Sequence, residues 1–154
     1  MKGQQEVIDK LNALLAEELT AINQYFLHAE MCEDWGYDKL HDVIEARSIQ
    51  EMKHAEMLMG RILFLEGRPI VSELNKITIG EVVLEQLKSD HDAEQRAIEM
   101  YNEAVALTSR LGDNGSKVLV ESILTDEEDH IDWIEEQLDQ IDQMGYERYL
   151  NNQV

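Results

Sequence analysis

Residues 7–30 read VIDKLNALLAEELTAINQYFLHAE, and this stretch sets the pattern for the whole chain. Its apolar side chains recur at spacings of three, four and seven residues, as they do on one face of an α-helix. The members of this stripe are Ile8, Leu11, Leu15, Ile22, Tyr25 and Ala29. Glu18 lies on the same stripe, between Leu15 and Ile22. The stretch therefore predicts a long amphipathic helix with a carboxylate on its buried face.

The same periodicity predicts three more long helices and a short fifth one. The expected helices cover about residues 4–33, 38–66, 79–111, 114–144 and 146–151. Their boundaries are predicted by Trp35-Gly36, Asp38 as an N-cap, Gly67 with Pro69, the capping box Thr78-x-x-Glu81, the turn Gly112–Gly115, and Gly145. Short turns make neighbouring helices antiparallel, whereas residues 68–78 can cross the length of the bundle. We expect an all-α, antiparallel four-helix bundle with one long crossover and a short C-terminal helix, in a single domain of residues 1–154.

Composition and charge narrow the possible functions. The 154 residues include one Pro and eight Gly, too few for a turn-rich β-sandwich or barrel. Thirteen Lys and Arg against 33 Asp and Glu give a net charge of −20, which argues against nucleic acid or an anionic membrane as a partner and favours cations. The single cysteine, Cys32, excludes an intrachain disulfide framework and a four-cysteine metal site. The N-terminus shows no signal-peptide pattern, so the expected location is the cytoplasm.

Six polar residues lie on the predicted apolar stripes. Glu18 and Glu94 stand alone, whereas Glu51 with His54 and Glu127 with His130 form two Glu-x-x-His motifs. The second half repeats the first at an offset of 76 residues, as from Glu18 to Glu94 and from Glu51 to Glu127. Because residues three apart share a helix face, two facing hairpins bring four Glu and two His together. Buried carboxylates need a partner, and this donor set suits Fe or Mn, with Zn as the usual competitor. The alternative is a chance alignment of surface charges.

Several stretches of the chain resemble the bacterioferritins, and the resemblance extends over essentially the whole sequence. These stretches are MKG at 1–3, AINQYFLH at 21–28, EMKHA at 51–55, RILFLEG at 61–67 and DEEDHIDW at 126–133. The resemblance implies a ferritin-like 24-subunit hollow shell, built as a homo-oligomer, that oxidises Fe²⁺ at an intrasubunit di-iron centre with O₂ or H₂O₂ and stores the ferric mineral. It further implies haem b at each two-fold interface, and a small ferredoxin as a candidate partner for iron release.

The resemblance also implies a role for individual residues. The di-iron ligands are expected to be Glu18, Glu51, His54, Glu94, Glu127 and His130, holding two Fe ions per subunit, and the haem ligand to be Met52. Tyr25 and Tyr101 lie one heptad beyond Glu18 and Glu94, and this position predicts that both are near the metals as hydrogen-bonding partners, or for Tyr25 as an electron donor; the alternative is core packing. Many relatives carry a His and an Asp where this chain has Ala46 and Gln50. We therefore expect the inner-wall iron site of those relatives to be absent or weak here.

Helix geometry gives Met52 an outward direction. At about 100° per residue, Met52 is about 100° from Glu51 and about 160° from His54, so it points away from the ligands. Ile49 and Met59 fall within about 60° of Met52 and predict a short outward apolar stripe, which Glu56 interrupts. Apart from the resemblance, ordinary dimer packing is the alternative.

Of the remaining histidines, His28 and His41 have no motif partner, whereas His91 is three residues before Glu94 and could add a third imidazole to the same face. We expect His28 and His41 to be solvent or interface residues and His91 to be a polar packing residue.

Three functions of different classes remain open at this point. The first is an iron-storing ferroxidase, with Glu51 and Glu127 bridging two Fe²⁺ ions. The second is a rubrerythrin-like di-iron peroxidase, which would want a cysteine-rich electron-transfer domain. The third is a non-enzymatic haem or assembly protein, whose bundle should tolerate apolar residues at the six ligand positions. Fe²⁺ oxidation in ligand variants separates the first from the third, and comparing O₂ with peroxide addresses the second.

Overall fold

The computed structural model describes residues 1–154 and confirms the all-α prediction. The helices are α1 (Gln5–Asp34), α2 (Asp38–Phe64), α3 (Val83–Arg110), α4 (Asn114–Met144) and α5 (Tyr146–Asn151). α1 packs along α2, α3 packs along α4, and α1 also packs against α3. None of these helices is both long enough and apolar enough to cross a membrane.

Contacts between helices fix their directions. The amide of Gly3, before α1, donates to the carbonyl of Leu65, just after α2, at 2.9 Å, so these two helices are antiparallel. Contacts of α1 with α3, and of α2 with α4, join early residues of one helix to late residues of the other, as in Lys10–Glu103 and Arg61–Asp113. α2 and α3 therefore run parallel, and residues 65–82 must cross the full length of the bundle.

The core consists of two apolar clusters rather than one. The larger is built on Leu11, Leu15, Leu58, Ile62 and Ile123 and includes Tyr101. The smaller is built on Ile44, Leu87, Ile134 and Ile141 and includes Tyr25. The six predicted polar residues lie on the same four helices between these clusters. The bundle is therefore apolar above and below a buried polar layer.

The crossover is held by polar side chains on one face of α1. Gln24 Oε1 accepts the amide of Thr78 at 3.1 Å, and His28 Nε2 accepts the amide of Gly80 at 3.0 Å. The full row on α1 is Asn12, Glu17, Thr20, Gln24 and His28, and it binds Arg68, Ile70, Asn75, Thr78 and Gly80. Because this row caps backbone groups that no helix or strand uses, it fixes an otherwise irregular segment.

Three expectations from the sequence are wrong here. α3 begins at Val83 rather than 79, after an extended Val82, so Thr78-x-x-Glu81 is not a capping box. The amides of Thr78 and Gly80 are already bound to α1, which keeps this segment extended. His28 is fully buried rather than at a surface, and its Nδ1 lies 2.9 Å from Asp90 Oδ1. Asp38 is likewise the first residue of α2, which Tyr37 precedes at the N-cap position.

Glycine is required where the crossover meets α3. A Cβ atom on Gly80 would lie 2.3 Å from the backbone nitrogen of Gln86 and 2.6 Å from the carbonyl carbon of Glu85. Backbone atoms cannot move aside as side chains do, so this close approach needs a residue without a side chain.

Loss of the Gln24 contact should loosen the crossover. Gln24→Leu keeps most of the side-chain volume but leaves the amide of Thr78 without its acceptor and removes one donor to Asp90. We expect a loss of about 1–3 kcal/mol in the free energy of unfolding, measured by urea denaturation at fixed protein concentration. Gln95→Leu, the same change at an exposed position of α3, is the control. Equal effects of the two changes would contradict this account of the crossover.

Candidate metal centre

The buried polar layer brings together all six residues that the sequence predicted as metal ligands. Each is at most 2% exposed. α1 contributes Glu18 and α3 contributes Glu94, whereas α2 contributes Glu51 with His54 and α4 contributes Glu127 with His130. Every long helix thus sends at least one charged side chain to the same level of the bundle.

The six residues form two adjoining groups of possible ligands. One consists of Glu18, Glu51, His54 and Glu127, and the other of Glu51, Glu94, Glu127 and His130. Within each group the ligand atoms all lie within 4.8 Å of one another. Glu51 and Glu127 belong to both groups, so each could bridge two ions while the other residues bind one ion each.

Short distances connect the imidazoles to the carboxylates. His54 Nδ1 lies 3.1 Å from Glu127 Oε1 and 3.6 Å from Glu18 Oε2. His130 Nδ1 lies 3.0 Å from Glu51 Oε1 and 3.3 Å from Glu94 Oε1. The two rings are stacked, with centroids 6.3 Å apart. Each imidazole therefore presents Nδ1 to the carboxylates, one ring on either side of the shared pair.

Five ligand atoms in this layer are buried without a hydrogen-bond partner. They are Glu18 Oε2, Glu51 Oε1, His54 Nδ1, Glu94 Oε2 and Glu127 Oε1. A buried polar atom without a partner is costly and rare in native proteins, and here all five point into one layer. Carboxylate oxygens with one imidazole nitrogen for each ion are a donor set for Fe or Mn. The residues present therefore fit a pair of divalent cations.

The pKa values of the buried side chains show how the layer is neutralised when no cation is bound. Burial raises the pKa of Glu51 well above its usual range, and the nearby charge of Glu18 raises it further. Burial likewise raises the pKa of Glu127, as does the charge of Glu51. Burial acts to lower the pKa of His54, but the carboxylates of Glu127 and Glu18 outweigh it and raise the pKa to about 10. The metal-free layer therefore retains protons at neutral pH.

Two tyrosines bind the carboxylates that are not shared. The Tyr25 hydroxyl donates to Glu94 Oε1 at 2.5 Å, and the Tyr101 hydroxyl donates to Glu18 Oε1 at 2.5 Å. Burial raises the pKa of both phenols well above 10, so both remain protonated donors. Tyr25 therefore contacts the layer directly as well as packing in the smaller cluster, while its use as an electron donor stays a prediction.

The outer nitrogen of each imidazole has its own acceptor, which the sequence analysis missed. His54 Nε2 lies 2.8 Å from Asp126 Oδ2, and His130 Nε2 lies 2.5 Å from Gln50 Oε1. The internal repeat contains the signal that could have found them, since Gln50 and Asp126 are related by the same offset of 76 residues. These acceptors hold the proton on Nε2 and leave Nδ1 for a metal.

The methionines and the histidine that the sequence analysis discussed apart from the six residues lie outside the layer. Met52 is 52% exposed on α2, and Ile49 beside it is 44% exposed. Met59, expected on the same outward stripe, is instead partly buried and packs against the larger apolar cluster, so that expectation is wrong. His91 lies 3.0 Å from Glu135 at the surface and does not join the ligands.

A family model and several known proteins are similar to this chain over nearly its whole length. The family model of the ferritin-like domain matches residues 8–144. The bacterioferritin of Brucella melitensis biotype 1 is 44% identical over 149 residues, which are 97% of this chain and 92% of that protein. The bacterioferritin of Rhodobacter capsulatus is 44% identical over 145 residues, covering 94% of this chain and 90% of that protein. The bacterioferritin of Streptomyces coelicolor is 42% identical over 151 residues, covering 98% and 90%.

Binding of divalent cations should release protons. Because Glu51, Glu127 and His54 hold protons in the metal-free layer, a cation must displace them. The apparent affinity should therefore rise as the pH rises from 6 toward 8, with the released protons taken up by the buffer. Calorimetric titration with Zn²⁺ in two buffers of different ionisation enthalpy measures this release. Identical heats in the two buffers, with an affinity independent of pH, would contradict the assignment of protons to the layer.

Proposed function

This chain belongs to the bacterioferritin family of ferritin-like proteins, and from that premise we propose that it stores iron and oxidises Fe²⁺ to Fe³⁺ in the polar layer of the bundle. The observation that supports this most is the set of five buried, unpartnered ligand atoms arranged in two groups with two shared carboxylates. Two Fe²⁺ ions would contribute four positive charges, which offset the four Glu carboxylates.

In this proposal the ligands have two roles. Glu51 and Glu127 bridge the two Fe²⁺ ions, which are the substrate, and hold them side by side. Glu18 with His54, and Glu94 with His130, complete one ion each. Two Fe²⁺ ions supply the two electrons that reduce H₂O₂ to water, or O₂ to H₂O₂, with uptake of two protons. The protein provides positioning and charge, whereas the redox chemistry belongs to iron.

The surrounding residues control protons and geometry. Tyr25 and Tyr101 each donate a hydrogen bond to one terminal carboxylate, which fixes the rotamer of that ligand. Asp126 and Gln50 keep the proton of each imidazole on Nε2. The buried protons of the metal-free layer leave when the cations enter, so the same residues are ready to exchange protons with the reaction.

We further propose that the chain assembles into a homo-oligomeric shell of 24 subunits that holds the ferric mineral. The bacterioferritin relatives support a homo-oligomer. Phe26, Leu63 and Phe64 are each at least half exposed in the isolated subunit, which an assembly would cover. The cytoplasmic location and a ferredoxin partner for iron release stay predictions, as does the weak inner-wall iron site at Ala46 and Gln50.

The alternatives fit the structure less well. A rubrerythrin-like peroxidase needs a cysteine-rich electron-transfer domain, and Cys32, the single cysteine, is buried. A purely structural helical protein gains nothing from unpartnered buried carboxylates, since apolar residues of similar size would stabilise the bundle better.

We propose that Met52 of each subunit would hold haem b at a two-fold interface. Met52 fits this role because it is exposed on an outward face of α2, next to the exposed Ile49, and does not belong to the buried layer. A two-fold axis would bring the Met52 thioethers of two subunits together, where both could bind one haem. The haem would supply a site for electron transfer, and the flanking apolar side chain would contribute part of its pocket.

Terminal-ligand variants test the ferroxidase. Glu18→Gln and Glu94→Gln each remove one charge without a change in volume, and we expect Fe²⁺ oxidation to slow by at least about tenfold. The metal-free bundle should be equally or more stable, because a like charge is removed from the layer. Stopped-flow absorbance of Fe³⁺ formation measures the rate, and size-exclusion chromatography checks the assembly. Glu99→Gln, at an exposed position of α3, is the matched control. Rates equal to the control in both variants would reject the assignment.

A second substitution tests the haem ligand. Met52→Leu should abolish haem binding while leaving Fe²⁺ oxidation and assembly unchanged, because the side chain lies outside the buried layer. The wild-type protein should bind one haem per two chains in a low-spin state, as expected if the thioethers of two subunits hold its iron. Met57→Leu, also an exposed methionine of α2, is the control. Visible absorption with iron analysis measures the haem, and full haem content in Met52→Leu would assign the ligand elsewhere.

A further inference from the structure

The two halves of the candidate centre match at every ligand but differ in the acceptors behind the histidines. The offset of 76 residues relates Glu18 to Glu94, Glu51 to Glu127, His54 to His130 and Tyr25 to Tyr101. Even the tyrosine hydrogen bonds obey this symmetry, since each phenol donates to the terminal carboxylate of the other half. The same offset relates Gln50 to Asp126, and here a neutral amide stands opposite a carboxylate.

These two side chains occupy equivalent places. Asp126 Oδ2 lies 2.8 Å from Nε2 of His54, and Gln50 Oε1 lies 2.5 Å from Nε2 of His130. In both rings Nδ1 faces the carboxylate layer, so Nε2 carries the proton and donates it outward. With a cation on Nδ1, the tautomer and the ring orientation are therefore the same on both sides. Only the charge of the acceptor differs.

That difference in charge changes the donor strength of the imidazole. A hydrogen bond to a carboxylate is roughly twice as strong as one to a neutral acceptor, and it draws the Nε2 proton away from the ring. Electron density on Nδ1 rises accordingly, which makes the imidazole a better metal ligand. His54 is thus the stronger ligand of the two, and His130 is the weaker one.

Other charges near the layer do not cancel this contrast. Arg47 and Asp90 both lie on the Glu94 side, where they line one small cavity with Tyr25 and Trp133. Their charges are opposite in sign, and neither forms a hydrogen bond or ion pair with a ligand residue. Asp90 binds Gln24 and His28, and the guanidinium of Arg47 lies over the ring of Trp133 at 5.8 Å.

We propose that Asp126 and Gln50 are positioning residues that make the two cation positions unequal. The position at Glu18 and His54 binds a divalent cation first and more tightly, and the position at Glu94 and His130 binds the second cation more weakly. The inference rests on the two-cation centre proposed above. Removing or adding a carboxylate behind a ligating histidine changes metal affinity by about 10- to 100-fold, which sets the expected difference between the positions.

The test uses the assembled protein, with Co²⁺ as the probe. Crystals with one equivalent of Co²⁺ per chain are measured by anomalous diffraction at the cobalt edge, and calorimetric titration gives the two binding constants. For the wild type we expect one cobalt peak beside Nδ1 of His54, and two constants separated by about 10- to 100-fold.

A charge-conserving swap isolates the two acceptors. The double variant Gln50→Glu with Asp126→Asn keeps the net charge and exchanges the neutral and the charged acceptor without changing the size of either side chain. We expect the first cobalt to move to the position of His130, with the separation of constants restored in the opposite sense. Such a reversal is a result that a general loss of stability cannot produce.

The single variants supply the remaining controls. Gln50→Glu should strengthen the weaker step so that the two constants converge, and Asp126→Asn should weaken the tighter step. Lys53→Gln makes the same change in net charge on an exposed part of α2, one turn from Gln50, and should leave the separation unchanged. Convergence in Lys53→Gln to the same degree as in Gln50→Glu would assign the effect to overall charge and overturn the proposal.

The outcomes separate this inference from the proposed function. Two cobalt ions per chain that fill both positions equally, or that fill the position of His130 first, would overturn the inference and leave the two-cation centre intact. A swap variant that still fills the position of His54 first would do the same. No cobalt at either position would overturn both.

Discussion

The burial of four carboxylates at one level of a helical bundle is the constraint on which the rest of the structure depends. Glu18, Glu51, Glu94 and Glu127 are each about 1% exposed and repel one another in a medium that screens charge poorly. Apolar clusters lie above and below the layer and supply no charge that could offset it. Only protons or cations can neutralise it. The raised pKa values of Glu51 and Glu127 indicate that protons neutralise the layer when no cation is bound. The buried oxygen and nitrogen atoms without a hydrogen-bond partner mark where cations would bind.

The topology follows from bringing two similar hairpins face to face. Each hairpin delivers one Glu and one Glu-x-x-His, and their antiparallel packing places the two sets at one height. This arrangement makes α2 and α3 parallel, which requires a crossover along the bundle. The polar row on α1 holds that crossover, and its member His28 also contacts Asp90 on α3, one helical turn before Glu94. His28 on α1 thus contacts both the crossover and α3, the helix that contains Glu94.

Local sequence patterns were enough to predict the long helices and the six residues that meet in the layer. The 3.6-residue periodicity identifies buried faces, and the repeat identifies which polar residues on those faces belong together. Features that depend on contacts distant in sequence escaped this reasoning. Thr78 resembles a helix cap in the local sequence, because its amide donates a hydrogen bond to Gln24, which lies 54 residues away. His28 resembles a surface residue because its two partners lie 52 and 62 residues away. The acceptor roles of Asp126 and Gln50 likewise depend on contacts with histidines that lie 72 and 80 residues away.

The central claim is that the buried layer holds two iron ions. Anomalous diffraction at the iron edge, from crystals soaked anaerobically in Fe²⁺, tests it most directly. The account predicts two iron peaks inside each subunit, one near Nδ1 of His54 and one near Nδ1 of His130, with Glu51 and Glu127 contacting both. A bundle interior without iron peaks, while iron binds at the acidic surface of the same crystals, would contradict it.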